Sequence, residues 1–188
     1  MIQLAIPPRA DAPPMFREVD DCIQSVPGQW MVLHTKARNE KALAWDLHEL
    51  NLAYFLPLVR RNRIYGRRKA EVSIPLFTGY LFVACDSPED RYRVQSTHRV
   101  ANMIEVRNQD QFRFELEQIR RAVHSPHQLD LYPGVMQGRH CRIISGALEG
   151  IEGIVVLRKE TGRVHLEVSM LGQSAVLDVD ISQIELLD

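Results

Sequence analysis

The stretch Leu76-Phe77-Thr78-Gly79-Tyr80-Leu81-Phe82-Val83 is apolar and rich in aromatic residues, which is typical of a strand that contributes to a core. In an extended chain Tyr80 and Phe82 share one face, and Leu81 and Val83 share the other. The pattern alone favours core residues on both faces, but it also allows one aromatic face to serve a partner. We predict a strand over residues 76–83.

Further elements flank this strand on both sides. The predicted elements are a strand at 30–34, a helix at 39–50, strands at 52–59 and 76–83, a helix that starts at residue 87, a strand at 103–106 and a helix at 109–123. The order β-α-β-β-α-β-α is typical of an α+β sandwich, in which helices cover a mostly antiparallel sheet. We predict that this domain spans residues 29–124.

The last two helices of this domain have clear sequence signals. Ser87-Pro88-Glu89-Asp90 combines a capping hydroxyl, a proline suited to the first turn and acids that oppose the helix dipole. In the final helix, apolar residues recur on one face, at Phe112, Leu116, Ile119 and Val123. On its polar face we expect the ion pairs Arg113–Glu117 and Glu117–Arg121.

Composition marks three further segments. Residues 1–28 contain two Pro-Pro pairs and end in Pro27-Gly28, so we expect an extension that is disordered or forms a short helix. Residues 125–136 carry Pro126, Pro133 and Gly134 and are interpreted as a linker. Residues 137–188 alternate with a period of two between glycines, which predicts a small β-barrel.

Positive charge concentrates in the middle of the chain. The whole sequence has a net charge of −1, but residues 30–136 hold 16 basic and 12 acidic side chains. Six of the basic residues follow Leu58, and Tyr65-Gly66 between them suggests the tip of a hairpin. They are Arg60, Arg61, Arg63, Arg67, Arg68 and Lys69. Arginine forks suit phosphate, so we predict contact with DNA or RNA, although a solvated loop is the ordinary fate of a charge run.

Other features of the sequence restrict the function. Three widely separated cysteines argue against a disulfide framework and favour a reducing cytoplasm. There is no signal-like segment and no run of about 18 apolar residues for a bilayer. We find no phosphate-binding loop, nucleophile elbow or spaced metal ligands, and therefore expect a binding protein without metal or cofactor, not an enzyme.

Two parts of the sequence resemble the NusG family of transcription elongation factors. Gly138-Arg-His-Cys-Arg-Ile-Ile-Ser-Gly146-Ala-Leu-Glu-Gly150-Ile-Glu-Gly153 is similar to a KOW domain, and Gly162–Gly172 to the hairpin and loop that follow in NusG proteins. Trp30-Met-Val-Leu-His34-Thr35-Lys36, Phe55-Leu56-Pro57-Leu58 and Pro75–Val83 are similar to the N-terminal NGN domain. Since both halves occur in the right order, the resemblance covers roughly residues 29–188.

The resemblance implies roles for particular residues. The NGN domain of the family binds the clamp helices of RNA polymerase through an apolar cavity, and Phe77, Tyr80 and Phe82 match the strand that supplies it; Phe55 is a further candidate. Lys36, Arg38 and Asn39 match a turn that touches the displaced non-template DNA strand in RfaH-like proteins; nascent RNA is the alternative ligand. Leu148 and Ile151 match a KOW loop that binds ribosomal protein S10 or Rho, or they simply cover the end of the barrel.

The sequence departs from housekeeping NusG proteins at several positions. Thr78 stands where proline is usual, Arg99 where glycine is common, and Arg139-His140 replaces an acidic residue after Gly138. With the basic stretch, these departures favour a specialised paralog of the RfaH and UpxY groups, which acts on selected operons. We expect a monomer that stabilises the closed clamp and suppresses pausing or termination. A general NusG that assists Rho and a KOW-type RNA-binding protein remain the alternatives.

Overall fold

The computed structural model describes residues 22–65, 68–126, 129–132, 138–158, 161–168 and 171–187, and within these it describes only the backbone of residues 63–65, 68, 69, 131, 132, 157, 158, 161 and 162. No helix in the described part of the chain is long and apolar enough to cross a membrane. The fold is mixed α/β, with antiparallel sheets and, among these described residues, three α-helices.

The first part of the chain forms a four-stranded sheet with a separate hairpin. The elements are β1 (Gln29–Thr35), α1 (Glu40–Glu49), β2 (Tyr54–Phe55), β3 (Leu58–Tyr65), β4 (Arg68–Pro75), β5 (Tyr80–Cys85), α2 (Pro88–Ser96), β6 (Val100–Glu105) and α3 (Gln109–His124). The sheet has the order β2-β5-β1-β6 and every pair in it is antiparallel. The predicted α+β architecture is thus confirmed for this part.

The two faces of this sheet belong to different core clusters. Met31 and Leu33 of β1 lie in one cluster with Leu43 and Leu47 of α1 and with Val94 of α2. Trp30, Val32 and Phe82 lie in the other, together with the apolar face of α3 that the sequence predicts. The helices therefore cover both faces, and each face of β5 contributes to a core.

The start of β5 differs from the prediction. Residues 76–79 form a turn and are not part of the strand, because the Tyr80 N–H donates to the Phe77 carbonyl. Gly79 has φ 84°, which suits glycine, and this conformation interrupts the extended chain. The predicted start of α2 is confirmed: Ser87 and Asp90 form a reciprocal capping box.

The basic stretch forms a two-stranded hairpin that stands apart from the main sheet. β3 and β4 pair in register from Leu58 opposite Pro75 to Tyr65 opposite Arg68. The hairpin predicted around Tyr65-Gly66 is therefore confirmed by its strands. Gly66 and Arg67 themselves lie outside the described residues.

The end of the extension is fastened to α3. Residues 23–25 form one 3-10 turn, and Ile23 and Val26 are buried. The Arg113 guanidinium donates to the carbonyls of Ile23, Val26 and Gly28 at 3.0, 2.8 and 2.5 Å. The expected ion pair between Arg113 and Glu117 is therefore wrong. Glu117 pairs with Arg120 instead and accepts the Ile23 N–H.

The last part of the chain forms a six-stranded antiparallel sheet. Its strands are β7 (Asp130–Tyr132), β8 (Arg139–Ile143), β9 (Glu152–Arg158), β10 (Thr161–Val168), β11 (Gln173–Asp180) and β12 (Ile184–Leu186), in the order β12-β8-β9-β10-β11-β7. Among the described residues no pairing joins β7 to β12, so the predicted closed barrel is not found. The segment 125–136, interpreted as a linker, contains strand β7. Its backbone pairs with β11, so this part of the segment belongs to the C-terminal sheet.

Helix α3 lies between the N-terminal and C-terminal sheets. Next to its apolar face, Glu115, Gln118 and Ala122 are also buried. The Gln118 amide oxygen accepts the Glu152 N–H at 3.1 Å, and the Arg121 guanidinium donates to the Glu149 carbonyl. The expected partner of Arg121, Glu117, is therefore replaced by the C-terminal loop.

Candidate functional site

Three of the four aromatic residues predicted to bind a partner are core residues in this structure. Phe55, Phe77 and Phe82 are each exposed by 1% or less. The Phe82 ring lies 6.2 Å from Phe55 and 6.1 Å from Phe77, and 5.7 Å from Phe112 of α3. These rings stabilise the junction between sheet and helix and form the rigid base on which neighbouring residues stand.

Tyr80 is the member of the predicted set that reaches the surface. It is half-buried and packs against the edge of the aromatic core. Its ring stacks on the exposed imidazole of His34, with centroids 5.1 Å apart, because the two residues are partners in the β1–β5 ladder. His34 in turn lies opposite Asn102 of β6. Tyr80, His34 and Asn102 thus form a row across three strands.

Glu40 connects this row to the first helix. Its carboxylate is buried and accepts the Gly79 N–H at 2.8 Å, directly before Tyr80. The Thr35 N–H donates to the Gly79 carbonyl at 2.8 Å. The turn that precedes β5 is therefore fixed from both sides, at the point where β1 ends and α1 begins.

The turn between β1 and α1 carries the predicted nucleic-acid residues Lys36, Arg38 and Asn39. Lys36 and Arg38 are exposed, and Arg38 adopts φ 59°. The Asn39 amide nitrogen donates to the Ala37 carbonyl at 3.0 Å, and its oxygen accepts from Arg99 at 2.9 Å. The side chain of Asn39 is therefore fixed within the turn, and the two cations are its outward-facing groups.

Arg99 is a residue of this site that the sequence indicates only as a departure from the family pattern. Its guanidinium bonds Asp46 of α1 at 2.5 Å as well as Asn39. Its backbone carbonyl accepts the Lys36 N–H at 2.8 Å. The α2–β6 turn is thereby joined to the β1–α1 turn.

The basic hairpin is only partly described. Arg60 is exposed and lies 3.7 Å from Glu71 across the ladder. Arg61 donates to the Leu129 carbonyl and to the Asp130 carboxylate, the latter at 2.8 Å, so it holds the segment before β7. The side chains of Arg63, Arg67, Arg68 and Lys69 lie outside the described residues.

The predicted partner residues of the C-terminal part are covered. Leu148 and Ile151 are exposed by 2% and 0%, and both belong to the core cluster that includes β10 and β11. Their loop folds back on β8, since the Ile143 N–H donates to the Ile151 carbonyl. A partner that contacted either side chain would have to move this loop.

The described cysteines are free thiols, as expected. Burial and, secondarily, the nearby Asp90 raise the pKa of Cys85 to about 11. Its thiol is therefore protonated at neutral pH and cannot act as a nucleophile there.

Comparison with known proteins supports the resemblance seen in the sequence. A search of curated proteins gave no match. A family model described as the transcription termination factor NusG matches residues 28–122, from the glycine held by Arg113 to the last turn of α3. This match includes the row of Tyr80, His34 and Asn102, the turn 36–39 with its two cations (the cationic turn), and the basic hairpin of β3 and β4. The chain therefore belongs to the NusG family, whose members act in transcription elongation and termination.

Proposed function

We propose that this protein is an elongation and antitermination factor that binds the clamp helices of RNA polymerase through the surface around Tyr80. The observation that carries this proposal is the stack of the exposed His34 ring on the half-buried Tyr80 ring, above a base of buried phenylalanines. A rigid ring of this kind buries much area at little cost in conformational entropy. Phe55, Phe77 and Phe82 support the surface from beneath.

The protein acts by binding and performs no chemistry. Contact on both sides of the DNA cleft favours the closed clamp over the open, paused state. Only this difference in affinity between the two states is needed to suppress pausing or termination.

We further propose that the cationic turn contacts the displaced DNA strand or the nascent RNA. Lys36 and Arg38 supply two exposed charges beside the Tyr80 row. Arg60 lies near the start of β3 in the basic hairpin and adds a third exposed charge on another element. Such contacts position a nucleic acid through its phosphates.

The C-terminal sheet would recruit a second partner, ribosomal protein S10 or Rho, through the KOW loop at Leu148 and Ile151. Both are buried, so recruitment requires this loop to rearrange. Arg99 and Thr78 depart from the housekeeping pattern, and this supports a specialised paralog that acts on selected operons.

A pull-down of core RNA polymerase tests the proposal. The full chain should retain the polymerase, and Tyr80→Ala should lower the retained amount at least tenfold. The matched control is Tyr92→Ala, because Tyr92 is 71% exposed on α2 and outside the Tyr80 row. Phe82→Ala is not informative, since emptying a core site would cost about 3–5 kcal/mol of stability.

The outcomes separate the alternatives. Loss with Tyr80→Ala but not with Tyr92→Ala places the polymerase on the Tyr80 row. If the wild type retains neither the core enzyme nor an assembled elongation complex, the elongation-factor proposal fails. RNA binding without polymerase affinity would then favour the KOW-type RNA-binding alternative.

A further inference from the structure

We propose that Arg99 is a positioning residue that holds the turn 36–39 ready for the phosphate backbone of single-stranded nucleic acid. The inference rests on the proposed nucleic-acid contact of Lys36 and Arg38 and extends it. Arg99 itself need not touch the ligand. It acts through the turn that carries the two exposed cations.

Arg99 connects three parts of the fold: its own α2–β6 turn, the turn 36–39 and helix α1. The guanidinium bonds the Asp46 carboxylate at 2.5 Å and the Asn39 amide oxygen at 2.9 Å. The Arg99 carbonyl accepts the Lys36 N–H at 2.8 Å. One residue of the α2–β6 turn therefore fixes both ends of the β1–α1 turn and ties it to α1.

The backbone shows why such fixing is needed. Arg38 and His98 adopt left-handed conformations, with φ 59° and 58°, in the two turns that Arg99 joins. Residues with a side chain rarely adopt this conformation, and they keep it only where neighbouring contacts determine it. The contacts of Arg99 supply this constraint on both turns.

Charge distinguishes positioning from direct binding. The Arg99 and Asp46 side chains form an ion pair and are 36% and 22% exposed, so the charge of Arg99 is largely neutralised within the protein. Lys36 and Arg38, in contrast, are exposed on the turn. The turn therefore presents two cations on a backbone that is already ordered before the ligand arrives.

The test measures binding of a fluorescein-labelled oligothymidylate of about 12 nucleotides, and of the matching oligouridylate, to the full chain at several salt concentrations. The DNA and RNA probes identify which strand is preferred. The variants are Arg99→Met, Arg99→Lys, Asp46→Asn and the double variant Lys36→Ala/Arg38→Ala. Thermal unfolding of each variant verifies that it is folded.

Positioning predicts a characteristic set of results. Arg99→Met should weaken binding about threefold to tenfold at every salt concentration, without changing the slope of log K against log salt, since no phosphate contact is lost. Lys36→Ala/Arg38→Ala should lower that slope by about 1.4, the value for two contacts to a single strand. Arg99→Lys keeps the charge but not the fork, and should lie between wild type and Arg99→Met.

Asp46→Asn is the decisive variant. It removes a negative charge near the ligand, so simple electrostatics predicts tighter binding. Positioning predicts weaker binding, because the guanidinium loses its anchor on α1. Backbone hydrogen exchange of residues 36–40 should accelerate in this variant and in Arg99→Met.

The inference is overturned if Asp46→Asn binds as tightly as wild type or tighter, or if Arg99→Met lowers the salt slope. Either result would mean that Arg99 binds the ligand directly or has no role in binding. Loss of binding in Lys36→Ala/Arg38→Ala would still support the proposed contact of the turn with nucleic acid. If the double variant binds like wild type, the proposed contact fails and the inference fails with it.

Discussion

Arg38 shows how a single residue can serve binding at a cost to stability. Its φ of 59° places an arginine in the left-handed region, where a side chain costs about 1–2 kcal/mol. Glycine would adopt this conformation without strain. An arginine at this position is understandable if its charge, and not its conformation, is what the turn requires.

Replacing Arg38 by glycine or by alanine separates these two effects. Both variants lose the same cation and should lose the same nucleic-acid affinity. Arg38→Gly should be more stable than Arg38→Ala by about 1 kcal/mol, because only alanine retains the strain. Urea unfolding of the two variants measures this difference. Equal stabilities would show that the left-handed conformation costs nothing here.

His165 is a second residue whose environment has a measurable consequence. It is 2% exposed and its Nδ1 lies 3.1 Å from the Ser174 hydroxyl. Burial and, secondarily, the nearby Arg163 lower the pKa of His165. Alternation along β10 places His165 on the polar side, but that side faces α3 and shares a cavity of about 130 Å³ with Glu115 and Glu167.

The lowered pKa predicts that acid destabilises the fold. As pH falls below about 6.5, the unfolded chain takes up the proton before the folded one, so the free energy of unfolding decreases by at most about 1.4 kcal/mol per pH unit. His165→Gln should make the decrease between pH 7.5 and 5.5 smaller. Urea unfolding at both pH values is the measurement. His140→Gln is the control, since His140 is exposed, and an equal effect of both variants would contradict the assignment.

At the scale of elements, Arg113 fastens residues 22–28 to α3. Three main-chain carbonyls of this segment accept from one guanidinium, which replaces the ion pair expected on the helix surface. Charged hydrogen bonds of this kind are worth about 1.5–3 kcal/mol. The segment is therefore an integral part of the N-terminal fold and not a loose lead-in.

This fastening predicts coupling between Arg113 and the extension. Arg113→Ala should cost about 2 kcal/mol in the full chain, but less than about 0.5 kcal/mol in a chain that begins at residue 29, where the accepting segment is missing. Chemical denaturation of the four proteins gives the coupling. Arg93→Ala, which removes the bonds of this α2 residue to Asp90 and to the Leu50 carbonyl, should cost the same in both backgrounds. An undiminished cost of Arg113→Ala in the shortened chain would refute the fastening.

The elements that local chemistry specifies could be predicted from the sequence. Ser87 and Asp90 form the predicted capping box, and Phe112 and Leu116 lie on the predicted apolar face of α3. The turn before β5 has a local signal in Gly79, but the bond from Gly79 to Glu40 that fixes it joins residues 39 positions apart and could not be predicted. Strand β7 was missed for the same reason, since its partner β11 lies more than 40 residues away.

In the candidate site, too, the sequence indicates local features but not contacts between distant residues. The residue types of the turn 36–39 indicate a nucleic-acid surface, but Arg99 enters it through contacts with Asp46 and Asn39, which lie 53 and 60 positions away. Among the aromatic residues, alternation groups Tyr80 with Phe82. The two differ because α3 covers β5 at Phe82 but not at Tyr80. The phenylalanine is therefore buried and the tyrosine only half-buried, which the sequence does not reveal.

At the scale of the whole molecule, the two sheets meet through α3 and through the root of the basic hairpin. Gln118 and Arg121 of α3 bond the loop and strand around Glu149 and Glu152. Arg61 holds the segment before β7. Beside these polar contacts, the apolar face of α3 belongs to one core cluster with residues of β8 to β11, so apolar burial also joins the two sheets.

We predict that three substitutions, which together remove these polar contacts, raise the population of separated domains. At about 1 kcal/mol for each lost contact, Arg61→Ala/Gln118→Ala/Arg121→Ala should raise the population of separated domains by about 100-fold. Separate tumbling would shorten the rotational correlation time of β8–β11 amides measured by NMR relaxation. Arg142→Ala is the control, because its ion pair with Glu152 lies within the C-terminal sheet. If the triple variant tumbles as one body like the control, apolar packing on α3 must hold the sheets together, and a partner of the Leu148 loop would have to act without domain separation.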